Sequence, residues 1–557
     1  MINGNSILNR RNFIKLASLG IFSVTFQPWS LVCDSVKKRL NVLIIICDDL
    51  NDALEGMGGH PQAKTPNIDR FIKQGLQFTN CHSNNPLCGP SRASLWTGYY
   101  PHTTGYYGWD QNNNKWRNNR IMKNCVTIFE HFANHGYGLY GTGKIFHNNQ
   151  DTLPLFQDHD GSSGFGYGMS YGPYPWDGKS EWPWSVRHPS MRQPWGVSVF
   201  ETFVPLSDIP HVKPDLEKGI PGAKGWFDIF EKAKYKPFRY VNELDRDLMT
   251  DELSAQWIID RLNDKHDEPF FMTVGFIRPH SPWIVPEKYF NMFPIEEIEF
   301  PPYLKNDLDD IADVFKKTMY EKWKNSHGDK FKRLLHAYGG DIGWKKWIQG
   351  YLASVAFVDD QFGKIMNALE NSPYSDNTIV ILTSDHGYHM GEKDWLFKLT
   401  VWEESTRVPF VMLVPGVTKN GTKCDYPISL VDLYPTLIDM CGLPTNPNEN
   451  GNRIALDGHS LKPFLISPSD GQWDGPSVAL SCIYGQYPVE RDEPGKKEDQ
   501  HFTVRSRHWR YILCNNGEEE LYNHQNDPHE WHNLADDRKY ADIKKNLKHT
   551  LLQLTGL

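Results

Sequence analysis

NVLIIICDD, residues 41–49, sets the fold class. Six apolar residues, Val42 to Cys47, follow one another without alternation, the pattern of a strand buried on both faces of a parallel sheet. The run stops at Asp48-Asp49. Two adjacent carboxylates at the C-terminal edge of a central strand lie where open α/β sheets gather their ligands, and they suit a hard divalent cation. A surface turn carries the same dipeptide, so the question is whether other polar groups arrive at that edge.

Working outward, they do. TPNIDRFI (65–72) opens a helix that Gly75 closes, and the strand LQFT (76–79) leads to PLCGPSRASLWTG (86–98). There Pro90 suits a first helical turn, and ASLW carries the helix onward. Cys88 then sits at a helix N-terminus, where free N–H groups and the dipole favour an anion. A helix at 127–135, ended by Gly136, and a strand at 137–142 deliver Lys144 and His147. A helix at 251–262 and the strand FFMTVGF (270–276) deliver His280 within Arg278-Pro279-His280. The stripe Leu352, Val355, Val358, Phe362, Ile365, Met366 and Leu369 predicts a core-facing helix over 347–371. The buried strand TIVILT (378–383) follows it and ends in Ser384-Asp385-His386-Gly387, with Lys398 one loop later. A strand at 408–414 and a helix at 430–441 complete the alternation. The fold class is α/β with a central, mostly parallel sheet, and polar groups converging from several strand ends mark a site.

From residue 151 to about 250 regular periodicity fails. Tyr167, Tyr171, Tyr174, Trp176, Trp182, Trp184 and Trp195 crowd a long insert rich in Gly and Pro, read as a substrate-cleft wall rather than as a purely structural cover. After Pro444 the composition turns to Asn, Pro and Gly. Strands at 478–483, 502–505 and 509–513 and a helix from Tyr540 then predict a smaller C-terminal α+β subdomain. A chain of 557 residues accommodates this division: an export signal at 1–33, a catalytic domain at 38–445 and a C-terminal subdomain at 446–557.

A net charge of -9 argues against nucleic acid as a partner and requires local cations to draw any anionic substrate. Aromatic content of 13%, with 19 Trp, suits the handling of sugars, whose faces stack on rings. Arg10, Arg11 and Lys15 precede a short apolar stretch at 16–26, the pattern of an export signal. NRRNFIK (9–15) resembles a twin-arginine signal, with an ordinary Sec signal as the alternative. The apolar run is too short for a durable span, so no transmembrane span is expected in the mature protein. Cys33 follows Ser30-Leu31-Val32, a poor match to a lipidation site. The nine cysteines show no Cys-x-x-Cys pair, so neither a zinc ribbon nor a dense disulfide scaffold is indicated. Cys482 and Cys514 read as free and buried, a cross-strand pair being the alternative.

The string Cys88-x-Pro90-x-Arg92, continued by Ala93, Leu95, Trp96, Thr97 and Gly98, resembles the type I sulfatase signature. In that family the cysteine is oxidised to formylglycine (3-oxoalanine) by a maturation enzyme. The resemblance covers roughly residues 40 to 540 and extends to Gly143-Lys144-Ile145-Phe146-His147, Arg278-Pro279-His280, Tyr351-Leu352-Ala353-Ser354-Val355, Ser384-Asp385-His386-Gly387 and Glu520-Leu521-Tyr522-Asn523. It is closest to iduronate-2-sulfatase-like bacterial polysaccharide sulfatases.

The resemblance implies an alkaline-phosphatase-like sandwich and a divalent cation, calcium, held by Asp48, Asp49, Asp385, His386 and modified residue 88. It also implies that the hydrated aldehyde attacks sulfur, Arg92 orients it, and Lys144 and Lys398 neutralise sulfate oxygens. His280, with Lys398, would protonate the leaving oxygen, and His147 would act as base. Imidazole is an unusual partner for calcium, which makes His386 the weakest of the ligands. Trp109, Arg187, His188 and Arg192 are candidate substrate contacts. The expected substrate is a sulfated, uronate-containing oligosaccharide or polysaccharide, met by an exported bacterial protein that is periplasmic, secreted or surface-associated. Gly105 stands where the family pattern suggests an arginine, so algal glycans such as ulvan stay beside glycosaminoglycans. A phosphonate or phosphodiester hydrolase of the same superfamily, and a glycan-binding protein with Cys88 unmodified, are the competing readings.

Overall fold

Asn41–Asp48 forms β1, and every residue of it is buried. Successive side chains of a strand point to opposite faces. Leu43, Ile45 and Cys47 therefore enter one core, with Phe71 and Ile258, whereas Val42, Ile44 and Ile46 enter a second, with Trp96 and Phe129. Two apolar layers, one on each side, are why the run does not alternate.

The computed structural model describes residues 39–108, 111, 115–147, 155–159, 174–175, 201–208, 226–230, 234–238, 240–323, 327–485 and 494–557. Further strands are Leu76–His82 (β2), Gly138–Gly143 (β3), Phe270–Pro279 (β4), Thr378–Ser384 (β5) and Arg407–Leu413 (β6). Across the sheet they run β2, β6, β5, β1, β4, β3, with Thr422–Cys424 beyond β2 and Asp158–His159 beyond β3. β1 is parallel to both β4 and β5, and β4 is parallel to β3. β6 is antiparallel to β5 and β2, so the sheet is mixed but mostly parallel, as expected.

Pro66–Gln74 (α1), Thr250–Asn263 (α4) and Asp341–Glu370 (α5) cover the first face. Cys88–Thr97 (α2), Ile128–Asn134 (α3) and Leu433–Met440 (α6) cover the second. α5 begins six residues before the predicted start, after Gly339 and Gly340, both at positive φ. Lys345 and Lys346 hide its first turns in the sequence, although Trp344 is buried there. The predicted helix at 430–441 starts as a 3-10 turn, Leu430–Asp432, capped by Ser429 and Asp432. Trp226–Phe230 and Lys234–Phe238 form an antiparallel pair within the stretch read as irregular.

Near the C-terminus, Ala479–Tyr484 (β7), Gln500–Arg505 (β8), Trp509–Leu513 (β9) and Glu519–Asn523 (β10) make a four-stranded antiparallel sheet. β10 was not expected as a strand. Leu547 and Leu551 of Ala541–Thr555 (α7) join Val504 and Tyr511 in a third core, which also takes in Leu87, Tyr107 and Trp402. Cys482 and Cys514 are free and buried. Among the described residues no helix is long and apolar enough to cross a membrane.

Candidate active site

Strand register alone assembles most of the site. Cys47 of β1 pairs with Ser384 of β5, and Asp48 pairs with Pro279 of β4. Gly275 of β4 pairs with Gly143 of β3. The residues that follow, Asp49, Asp385-His386, His280 and Lys144, must then share one sheet edge. Gly143 has φ +75, and a Cβ on it would lie 2.0 Å from the Gly275 carbonyl oxygen. Only glycine permits this close approach, which fixes where Lys144 leaves the sheet.

β1 ends in a left-handed turn at Asp49, φ 64, a conformation that Asp tolerates better than most residues. Tyr351 of α5 secures that turn: its hydroxyl donates to the Asp49 carbonyl at 2.9 Å and accepts from Asn51 N–H at 2.9 Å. Asp251, in the first turn of α4, accepts from the N–H groups of Ile277 (2.8 Å) and Arg278 (2.9 Å), pinning the segment that carries His280. Sequence reasoning missed both positioning residues. Tyr351 lies within a quoted family string, but an acid in a helix first turn gives no signal of its own.

Cys88 opens α2 and brings its sulfur to this edge. Sγ lies 3.0 Å from Lys398 Nζ, 3.2 Å from His386 Nε2 and 3.4 Å from Asp48 Oδ1. Lys144 Nζ is paired with Asp48, and Lys398 Nζ is 2.5 Å from Asp49 Oδ1. Arg92, one turn along α2 and fully buried, donates from Nε to Asp385 Oδ2 at 2.9 Å and from Nη1 to the Lys144 carbonyl. His280 Nε2 is 3.8 Å from Asp49 Oδ2, and its Nδ1 is 2.5 Å from the Ser281 carbonyl. Asp48, Asp49, Cys88 and His386 each offer a ligand atom, all within 4.8 Å of one another. Asp385 lies beside this group, its Oδ1 accepting from the N–H groups of His386 (3.1 Å) and Asp49 (3.3 Å). His147 ends the described part of its loop. Trp109, Arg187, His188 and Arg192 lie outside the described residues, as does most of the aromatic insert.

Burial penalises every charge here, and the neighbours decide which groups resist it. Burial would raise Asp48, but Lys144, then His280, Lys398 and Arg92, hold it well below the usual carboxylate range. Burial pushes Asp49 up to about 7; Lys398 opposes this, but Asp48 and Asp385 add to it. Burial and Asp48 push the Cys88 thiol to about 12, so the unmodified sulfur is a thiol and not a thiolate nucleophile. Burial lowers His147, His280 and His386, helped by Lys144 at the first and Lys398 at the other two, which keeps the imidazoles neutral. With Nδ1–H of His386 committed to the Gly387 carbonyl at 3.0 Å, its Nε2 presents a lone pair to the site.

The sulfatase family profile matches residues 40–443, and a profile for the C-terminal part of N-sulphoglucosamine sulphohydrolase matches 391–556. A sulfatase of Formosa agariphila is 31% identical over 524 residues, covering 91% of this chain and 85% of that protein. Iduronate 2-sulfatase of Mus musculus is 26% identical over 599 residues, covering 95% of this chain and 97% of that one. An ulvan-active sulfatase of Formosa agariphila is 24% identical over 513 residues, with 91% and 79% covered. A structure in complex with its substrate, D-glucosamine-2-N,6-O-disulfate, superposes with a TM-score of 0.62 at 22% identity, covering 93% of this chain and 98% of the other. Phosphonate monoester hydrolase of Agrobacterium radiobacter gives 0.64 at 22% identity, covering 93% and 96%; likenesses at this level show the shared fold. With the profile spanning the whole sheet and every strand end that meets at Cys88, the chain belongs to the sulfatase family and is a sulfuric ester hydrolase.

Proposed function

We propose that this sulfatase removes sulfate from a uronate-containing oligosaccharide or polysaccharide, with residue 88 converted to formylglycine and a calcium ion at Asp48, Asp49, His386 and residue 88, Asp385 adjoining. The observation that carries the reading is Cys88 Sγ standing 3.0–3.4 Å from Lys398, His386 and Asp48 at the sheet edge. The donor set fits a cation. Two carboxylates and a bare imidazole nitrogen face one point, and Asp49 at about 7 is a carboxyl that its lysine does not fully compensate. When present, the formylglycine and the ion supply a geminal-diol hydroxyl of lowered pKa and a polarised sulfate.

The chain's own residues do the rest. Lys144 and Lys398 bring cationic nitrogens to where charge grows on sulfate oxygens. Arg92 fixes Asp385 and, through its own helix, the orientation of residue 88. His280, with Nδ1 on the Ser281 carbonyl, turns a neutral Nε2 into the site, and the Lys398 ammonium, held charged by Asp49, supplies with it the proton for the leaving alcohol. His147, kept neutral by burial and Lys144, accepts the proton that accompanies sulfate release.

The names of the iduronate- and ulvan-acting relatives support the saccharide substrate. The bacterial relatives and the leader-like first 33 residues support export, after or before maturation by a formylglycine-generating enzyme. The same reading assigns catalysis to 38–445 and a supporting role to 446–557. The test compares sulfate release from glycosaminoglycan oligosaccharides, ulvan oligosaccharides and a small aryl sulfate, with a phosphonate monoester alongside. One of the two glycan classes is expected to be preferred. Preference for the aryl sulfate over every glycan would overturn the saccharide substrate, and preference for the phosphonate would overturn the reaction class.

A further inference from the structure

The loop that brings Lys398 to Asp49 is fixed at both ends. Trp395 Nε1 donates to the Lys398 carbonyl at 2.9 Å, and the Leu399 N–H donates to the Pro86 carbonyl at 3.1 Å. Phe397 is thereby held next to the site, half-buried. Its ring centre lies 5.7 Å from Lys398 Nζ. A second ammonium, Lys330 Nζ, lies 5.9 Å from the same ring centre and 4.6 Å from that of Trp347. One aromatic side chain therefore joins the sulfate-facing lysine to a lysine with no part in the chemistry above.

For folding alone, Lys330 is an ill-placed cation. It is 3% exposed, and it opens the helix Lys330–Tyr338, where the dipole opposes a positive charge. Asp329, just before it, is taken by Arg333, whose Nε lies 2.8 Å from Asp329 Oδ1. Glu201, also buried, faces Lys330 at 4.0 Å, beyond hydrogen-bond reach. Lys393 shows how a structural buried lysine is answered in this fold: its Nζ is 3.0 Å from Asp307 Oδ1 and 2.7 Å from the Glu530 carbonyl.

His327 adds a second polar group. Its ring stacks on Phe397, with centres 4.0 Å apart and planes at 16°. Its Nδ1 is buried and makes no hydrogen bond among the described residues. Burial lowers His327 to about 3, so the imidazole is neutral and offers hydrogen bonding rather than charge. Burial lowers Lys330 to about 8, with Glu201 opposing the fall, so the ammonium is still mostly charged at neutral pH.

We propose that Lys330 receives an anionic substituent of the sugar, a uronate carboxylate or a second sulfate, while the sulfate to be cleaved lies at Lys398, an inference that rests on the glycan reading above. An ammonium has three donors, so an anion adds to Glu201 without displacing it. Away from water such a charge-assisted hydrogen bond is strong, and an anion at this helix N-terminus offsets the misplaced positive charge. The Phe397–His327 stack gives the sugar an apolar flank, and His327 Nδ1 gives a hydroxyl a partner. Lys330 is thus a specificity residue, set apart from the reacting sulfur.

The test pairs substrate changes with the substitution Lys330→Met in the full-length, formylglycine-bearing protein. The substrates are a monosulfated uronate-containing oligosaccharide as free acid and as methyl ester, its counterpart with a second sulfate, and a small aryl sulfate. For the wild type, KM should be about tenfold or more lower with the anion that Lys330 receives than without it, while kcat changes much less. This comparison needs no variant to fold. In Lys330→Met the KM ratio should fall towards one, and Lys330→Arg should recover part of it. The ratio is taken within each protein, so lost stability does not enter it. Collapse of the acid-to-ester ratio assigns the carboxylate, and collapse of the preference for the disulfated substrate assigns the second sulfate. Both ratios unchanged in Lys330→Met, or a wild type indifferent to both anions, would overturn the proposal and leave glycan hydrolysis standing. A wild type that cleaves only the aryl sulfate would overturn both.

Discussion

Two buried charge clusters in this molecule use the same residue types to opposite ends. At the edge of the main sheet, Asp48, Asp49 and Asp385 meet Lys144, Lys398 and Arg92. Beside the C-terminal strands, Glu403 and Glu530 meet Arg505 and Arg510, with His524 2.8 Å from Glu530. The second cluster is closed. Arg510 contacts both carboxylates; burial alone would raise them, yet Glu403 is held well below its usual range and Glu530 at about 2. The first is open. Its lysines bring ammonium groups to Asp48 and Asp49, Asp49 stays at about 7, and the thiol and three imidazoles are neutral. Planar guanidinium forks satisfy carboxylates in fixed geometry, whereas ammonium groups act as point charges that can turn to another anion. Buried charge that is fully answered holds a fold together; buried charge left partly unanswered is poised for an ion and a substrate.

The largest effect expected from this contrast is on turnover. Cys88→Ala should lower kcat by about 10⁴-fold or more while leaving the thermal midpoint close to wild type, because Sγ is not part of a closed network. Equal loss of stability and activity would erase the distinction. Next in size, Arg510→Met should cost about 3–5 kcal/mol of stability, since it leaves Glu403 and Glu530 buried with reduced compensation. Sulfate release per folded molecule should change little. Denaturant unfolding with activity normalised to folded protein reads both quantities.

Much of the open cluster could be read along the chain because strand register does the assembling. Asp48, Lys144, His280 and Asp385 each follow an apolar run, and four adjacent parallel or parallel-paired strands must end together. The closed cluster could not be read this way. Glu403 comes from a four-residue helix, Arg510 from β9 and Glu530 from a loop, more than 100 residues apart in the first pair. Nothing local distinguishes them from surface charges. The same limit explains α5, whose lysine-rich first turns look exposed, and β10, where Glu519 and Glu520 disguise a strand that buries Leu521 and Tyr522.

The pH dependence of stability sharpens the comparison. Glu530 is depressed from an ordinary 4.5 to about 2, so the folded state binds its proton less readily than the unfolded state. Its contribution is present above pH 4.5 and is lost as pH falls toward about 2. Thermal midpoints should fall over that window, and Glu530→Gln should flatten the fall; an unchanged slope would contradict the pairing. The smallest effect is expected from Tyr351→Phe, which removes the hydroxyl bridging Asp49 and Asn51. It should cost about 1 kcal/mol of stability and lower kcat more than it raises KM, because it loosens a ligand turn without touching substrate. A pure loss of stability at unchanged kcat would make Tyr351 a core residue only.

The central claim is that Cys88 is a precursor, buried as an unreactive thiol until it is converted. Mass spectrometry of the peptide containing residue 88, taken from protein that releases sulfate, tests this most directly. The account predicts the aldehyde mass, in a fraction that rises in step with specific activity across preparations. Full activity from protein whose residue 88 is entirely unmodified cysteine would contradict it.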